Sequence, residues 1–397
     1  MTARLAAAIG ATLVLLSGCS DQATAPPPGM SPGGASPQAM RDGAPKFWET
    51  GATVRFNELA DQLAARRPTN AARLFTYLAM AQFRAAEAAG VGHRPHPPTA
   101  AAIGGASVAV LSVFFPLDIA ELEAALDAQE AADPWPGAKH QDFATGEAIG
   151  REIGARVNSF ALGDRVGLTD PGHPPIGPGY WVWNGGPIAR GNLGARPFFL
   201  TSGDELRPPP PPAFGSAEYL AALAEVRQIS DTRTPEQFAI AQYWNTNQSP
   251  NSDAAINGIA RELIVAHHRS DRQAARIFFL MHAAAFDALI GCFDAKYTYW
   301  FIRPPQADPA ITLPIGLPPH PSYPSAHSCA SGAFTTVLAH AFPSERRRLA
   351  EVAQEASLSR LYAGIHYRFD MEAGLALGRK VARKALRADL DEVAVLP

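Results

Sequence analysis

The sequence predicts an all-α protein, made of two similar helical bundles packed together. Three observations carry this reading. From residue 46 onward, apolar residues recur at spacings of three and four, the period of a helix with one buried face. Alanine, glutamate, arginine and leucine dominate those stretches, which suits helix, and strand-like alternation is sparse. The two halves of the chain also resemble each other. The run after Asn70, AARLFTYLAMAQFRAA, aligns with AARIFFLMHAAAFDAL after Gln273, and AIGGASVAVLSVFFP after Ala101 aligns with CASGAFTTVLAHAFP after Ser328. Gly146-EAIGRE falls opposite Gly374-LALGRK, and Asp142 opposite Asp370.

Taken in order, residues 1–18 read as an export signal, with a basic start at Arg4 and an apolar stretch from Leu5 to Leu16. That stretch ends in Leu16-Ser17-Gly18-Cys19, which resembles a bacterial lipobox. The resemblance implies acylation of Cys19, attachment to a membrane surface, and an exported lipoprotein facing the periplasm or the cell exterior. Residues 19–45 are rich in Pro, Ala, Gly and Ser and are expected to form a flexible tether. Residues 46–161 are the first bundle, with helical periodicity over 71–89 and 103–115. Residues 162–215 cluster Gly, Pro and Trp and read as a long irregular connection, of the kind that wraps a neighbour or serves a site. Residues 216–397 are the second bundle, with helical stretches over 217–229, 235–244, 254–267 and 274–293.

Composition excludes several classes. The 397 residues are 47% hydrophobic and carry a net charge of -3, which offers no broad attraction for nucleic acid. Three cysteines are too few for a disulfide scaffold or a four-thiolate zinc site. Cys292 and Cys329 flank the polar segments described next, and they read either as two buried thiols or as a disulfide pair.

Those polar segments lie only in the second half. They are Lys296-YTYWFI-Arg303-Pro304, Pro324-Ser325-Ala326-His327, and Ser359-Arg360-LYAGI-His366-YRF-Asp370. Lys296 and Arg303 are seven apart, two helical turns, so one helix would present both on one face. With Arg360 they suit a tetrahedral oxyanion such as phosphate or vanadate, through an Arg fork and a Lys point charge. The segment Pro324-Ser325-Ala326-His327 begins a helix over Ser328 to His340, whose free N–H groups favour the same anion. Asp370 follows His366 by four residues and can steer its tautomer, and His327 remains as a general acid or base.

Together these segments resemble the superfamily of type 2 phosphatidic acid phosphatases and vanadium haloperoxidases. The one departure is Ala326, where the family pattern has glycine. The surrounding sequence over about 46–390 is similar to the soluble haloperoxidase branch, including the run from Ala274 to Pro304 and PPPPPAFGSAEYLAALAEVRQI. The resemblance implies a vanadate cofactor held by Lys296, Arg303, Ser325, the N–H of Ala326 and Arg360, with His366 as the vanadium ligand and His327 managing protons. Peroxide and halide would then be the substrates. It equally implies an alternative, an acid phosphatase that needs no cofactor, acting on phosphomonoesters through a phosphohistidine at His366. His320 stands as in the bromoperoxidase pattern and the aromatic Phe293 as in the chloroperoxidase pattern, so halide preference stays open, as does a homodimer.

Overall fold

The computed structural model describes residues 51–90, 98–132, 138–245 and 251–388. The expected signal (1–18) and the tether (19–45) with Cys19 lie outside the described residues. Among the described residues, thirteen α-helices run in the order α1 (Ala52–Arg66), α2 (Ala71–Ala89), α3 (Thr99–Phe114), α4 (Ile119–Ala131), α5 (Ala138–Ala161), α6 (Ala217–Thr232), α7 (Pro235–Tyr243), α8 (Asn251–Ala266), α9 (Asp271–Tyr299), α10 (Pro304–Ala307), α11 (Ala326–Ala341), α12 (Arg346–Tyr362) and α13 (Arg368–Ala385). The fold is all-α, and among the described residues the only β pairing is an isolated antiparallel bridge between Tyr180 and Phe301. Local chemistry sets several of the starts. Ser270 caps α9 and Thr234 caps α7, each in a reciprocal capping box with a glutamine three residues on.

The duplication is visible in how helices cross. A Cβ on Gly378 of α13 would overlap the carbonyl oxygen of Cys329 on α11; a Cβ on Gly150 of α5 would overlap that of Ala102 on α3. Gly374 and Gly146 repeat the pattern one turn earlier, against Ser325–Cys329 and Pro98–Ala102. In both halves a bare backbone is what lets two helices approach this closely. Gly378→Leu and Gly150→Leu are therefore each expected to cost about 1–3 kcal/mol in urea unfolding. A cost at Gly378 alone would deny that the two crossings are equivalent. The halves share one core within the compact unit Ala35–Pro397. Phe83 of α2 stacks on Phe279 of α9 with centroids 5.4 Å apart, and Thr76 Oγ1 donates to the His282 carbonyl.

The 162–215 connection is irregular and strapped onto α9. Asp287, fully buried in the middle of that helix, accepts the backbone N–H groups of Phe198, Phe199 and Leu200 at 2.6–2.9 Å. Burial pushes the Asp287 carboxyl up to about 7, against the pull of those three donors. Further along, Trp181 N donates to Trp300 O, Ile302 N to Gly179 O and Ala189 N to Pro319 O. The connection thus fixes the chain on both sides of Arg303.

Candidate active site

Helix α9 carries Lys296 in its last turn and stops at Trp300, which sits in the left-handed region at φ 48°. Arg303 consequently lies beyond the helix, as the residue before α10, whose first two positions are prolines. The seven-residue spacing does not place both cations on one helical face. A chain reversal after Tyr299 brings them together instead. Pro321–Ser325, including the cis Tyr323–Pro324 bond, threads past both. Helix α11 begins at Ala326, α12 delivers Arg360, and α13 delivers Asp370.

All three cations are buried, with Lys296 and Arg303 at 0% and Arg360 at 1% exposure. The Lys296 ammonium donates to the carbonyls of Pro321, Ser322 and Pro324 at 2.9, 2.8 and 2.5 Å. Arg303 donates to His320 O at 2.8 Å and Ile365 O at 2.7 Å, and its Nη2 lies 3.0 Å from His320 Nδ1. Arg360 donates to Ser359 Oγ and Ala241 O. Burial draws the Lys296 ammonium down to about 8, Arg303 to about 10 and Arg360 to about 9.

His366 Nδ1 lies 2.8 Å from Asp370 Oδ2, as the spacing suggests, but not along one helix. His366 precedes α13. Asp370 reaches back from the third position of that helix, also accepting Tyr367 N at 3.2 Å and Ser322 Oγ at 2.6 Å. This leaves His366 Nε2 on the Arg303 side of the ring, 3.5 Å from Nη1. Ser325 caps α11, and its own N–H donates to the Asp370 carbonyl. His327 Nε2 lies 2.8 Å from Trp244 O, so that nitrogen carries the proton of a neutral ring. Burial, reinforced by the neighbouring cations, holds His366, His327 and His320 well below their ordinary range.

The structure therefore gathers Lys296, Arg303, Ser325, Ala326, His327, Arg360, His366 and Asp370 around one point, with His320 and Phe293 at its side. Phe293 meets the His320 ring at 5.3 Å and joins Trp181, Tyr297 and Trp300 in an aromatic wall that also packs on Ala326. Sequence reasoning missed Ser322, which braces Asp370 from 48 residues away, and the carbonyls of Trp244 and Ala241. Cys292 and Cys329 are free and buried, with Cys292 Sγ 3.7 Å from Pro324 O. Thiol titration of the denatured protein without reductant should find both reactive, and neither reacting would reveal a disulfide.

Three cations converge here, while among the described residues Asp370 is the one carboxylate that acts on Lys296 and Arg303 from within the cluster. Buried charge without a partner is costly. Without an added oxyanion, the fold should therefore weaken in acid. The histidines stay neutral when folded but take up protons below about pH 6.5 when unfolded, so stability falls as pH falls, by up to about 4 kcal/mol per pH unit for three groups. A bound oxyanion offsets the charge of the neighbouring cations, eases protonation of these rings and so flattens that slope. Melting curves from pH 7 to 5 with and without phosphate check this; parallel slopes would contradict it.

Residues 274–390 match the model of the PAP2 superfamily. A structure described as the first bacterial vanadium-dependent iodoperoxidase is similar at 23% identity and a TM-score of 0.69, covering 84% of this chain and 95% of that one. A bacterial vanadium-dependent chloroperoxidase is similar in its apo form at 14% identity and a TM-score of 0.60, over 79% of this chain and 91% of that one. Its holo form gives 14% and 0.59, over 82% and 94%. No curated protein matches the chain. At these identities the likeness is one of fold.

Proposed function

Because residues 274–390 match the PAP2 superfamily within a chain that has the fold of vanadium-dependent haloperoxidases, we propose that this enzyme oxidises halide with hydrogen peroxide at a bound vanadate. One observation supports the reading: three buried cations converge, and Asp370 is the carboxylate that acts on two of them, Lys296 and Arg303, a charge balance suited to a multiply charged oxyanion. The donors fit vanadate. Arg303 and Arg360 offer planar forks, Lys296 a point charge, and Ser325 with the N–H of Ala326 a helix N-terminus. His366 Nε2 would be the vanadium ligand, its ring held by Asp370 and Ser322 through the opposite nitrogen. When bound, vanadate supplies Lewis-acid activation of peroxide. The protein's own residues do the rest. Arg303, Arg360 and Lys296 withdraw charge from the oxyanion's oxygens. His327, neutral and anchored on Trp244 O, can take a proton at Nδ1 and return it. The aromatic wall beside Ala326 excludes water and offers a polarisable surface to halide.

The His366–Asp370–Ser322 arrangement also favours a second reading, phosphomonoester hydrolysis. There His366 Nε2 attacks phosphorus and His327 protonates the leaving alcohol. The test loads the protein with vanadate and follows bromination or iodination of a phenolic dye with peroxide, alongside p-nitrophenyl phosphate hydrolysis by vanadate-free protein. Halogenation that phosphate suppresses supports the first reading, and turnover of the phosphoester alone sinks it. We also propose that acylated Cys19 tethers the body to a bacterial membrane; acyl mass on the Cys19 peptide tests this.

A further inference from the structure

The helices that build the site carry a second group of arginines at their other ends. Two adjoining clefts, of about 350 and 220 Å³, share His340 and Leu386 in their walls. The larger is lined by Arg346, Arg379 and Arg383, the smaller by Arg269 and Arg276. No aspartate or glutamate lines either one among the described residues. Arg276, Arg346, Arg379 and Arg383 are exposed and enter no ion pair among the described residues. Arg269 is held in place, donating to Ala341 O with its guanidinium 5.3 Å from the Phe342 ring.

Helix dipoles explain only part of this. Arg383 in the last turn of α13 is favoured there, but Arg346 is the first residue of α12, where positive charge is disfavoured. Arg379 and Arg383 repel each other one turn apart. A chain of net charge -3 that concentrates unpaired arginines on one face gains from an external anionic surface.

The entry of the chain lies beside that face. Ala52 N and Thr53 N donate to the carboxylate of Asp271, the first residue of α9, two positions from Arg269 and five from Arg276. From there Lys296 is 25 residues along α9, about 38 Å. Arg346 and Arg360 are likewise separated by about 21 Å of α12.

We propose that this arginine face seats the body on an anionic phospholipid surface, with the oxyanion site turned away from the membrane. The proposal deepens the anchoring reading of Cys19. The tether holds the body near lipid, and the arginines choose which face meets it. The shared requirement is a dense array of headgroup phosphates, each matched to a guanidinium.

The test uses the full chain with Cys19→Ser, so that no acyl chain contributes, and sedimentation with phosphatidylglycerol-containing vesicles against pure phosphatidylcholine vesicles. The expected result is a preference of about 100-fold for the anionic vesicles, weakened by high salt. The combined variant Arg276→Glu, Arg379→Glu and Arg383→Glu should erase that preference while leaving vanadate affinity at the distant site unchanged. Equal binding to both vesicle types, or a preference that survives the charge reversal with vanadate binding intact, would overturn the proposal. Failure to find acyl chains on Cys19 would end the anchoring reading alone, since the vesicle comparison does not depend on it.

Discussion

His366→Ala is expected to abolish halogenation by the vanadate-loaded protein and any phosphoester hydrolysis by the vanadate-free protein, each by at least about a thousandfold. Both reactions require Nε2 of this ring, and among the described residues no other imidazole is held so that one nitrogen meets a carboxylate while the other faces Arg303. The fold should survive. Asp370 keeps Ser322 Oγ and Tyr367 N as donors, and burial beside the cations keeps the deleted ring neutral. Steady-state rates with circular dichroism of the variant check this. Either activity within tenfold of the parent would show that the nucleophile or ligand has been misassigned. Asp370→Asn should be milder on affinity, and it should alter the pH profile because the tautomer of His366 is no longer imposed.

Arg303→Met should weaken vanadate binding at least about 100-fold while moving the melting temperature by only a few degrees. Charge-assisted hydrogen bonds are worth about 1.5–3 kcal/mol each, and a guanidinium fork makes two. The small effect on stability follows from opposing contributions. Losing Arg303 strips donors from His320 O and Ile365 O, at about 1–3 kcal/mol for each buried group left bare. It also removes a cation whose burial is itself unfavourable, as its depressed pKa of about 10 reflects. A large fall in melting temperature with vanadate affinity retained would make Arg303 a strut between segments rather than an oxyanion ligand.

Much of this was legible in the sequence because it rests on local periodicity. Helix α2 runs over the same Ala71–Ala89 that its apolar spacing marks. The duplication shows because the glycines at the two crossings, Gly150 and Gly378, stand in matching heptapeptides. Asp287 is not among the residues singled out from the sequence, although a carboxylate inside an apolar helical run is itself a signal, since it demands a buried partner. Other features left no such signal. Helix α9 continues through Lys296 to Tyr299, and its stop depends on the left-handed Trp300 backbone, a conformation that residue type does not announce. Ser322 lies in a proline-rich approach without periodicity, and its contact with Asp370 is tertiary. Trp244 and Ala241 act through carbonyl oxygens that any residue would supply. Asp142 aligns with Asp370, but four residues before it stands Ala138 rather than histidine, so the first bundle repeats the frame without the chemistry.

The central claim is that the buried cations form a site for one tetrahedral oxyanion. Equilibrium dialysis of the purified protein against orthovanadate tests it most directly. One vanadium per chain is expected, displaced by phosphate, and lost in Arg303→Met. Absence of stoichiometric vanadium, or binding that phosphate does not compete with and Arg303→Met does not weaken, would contradict it.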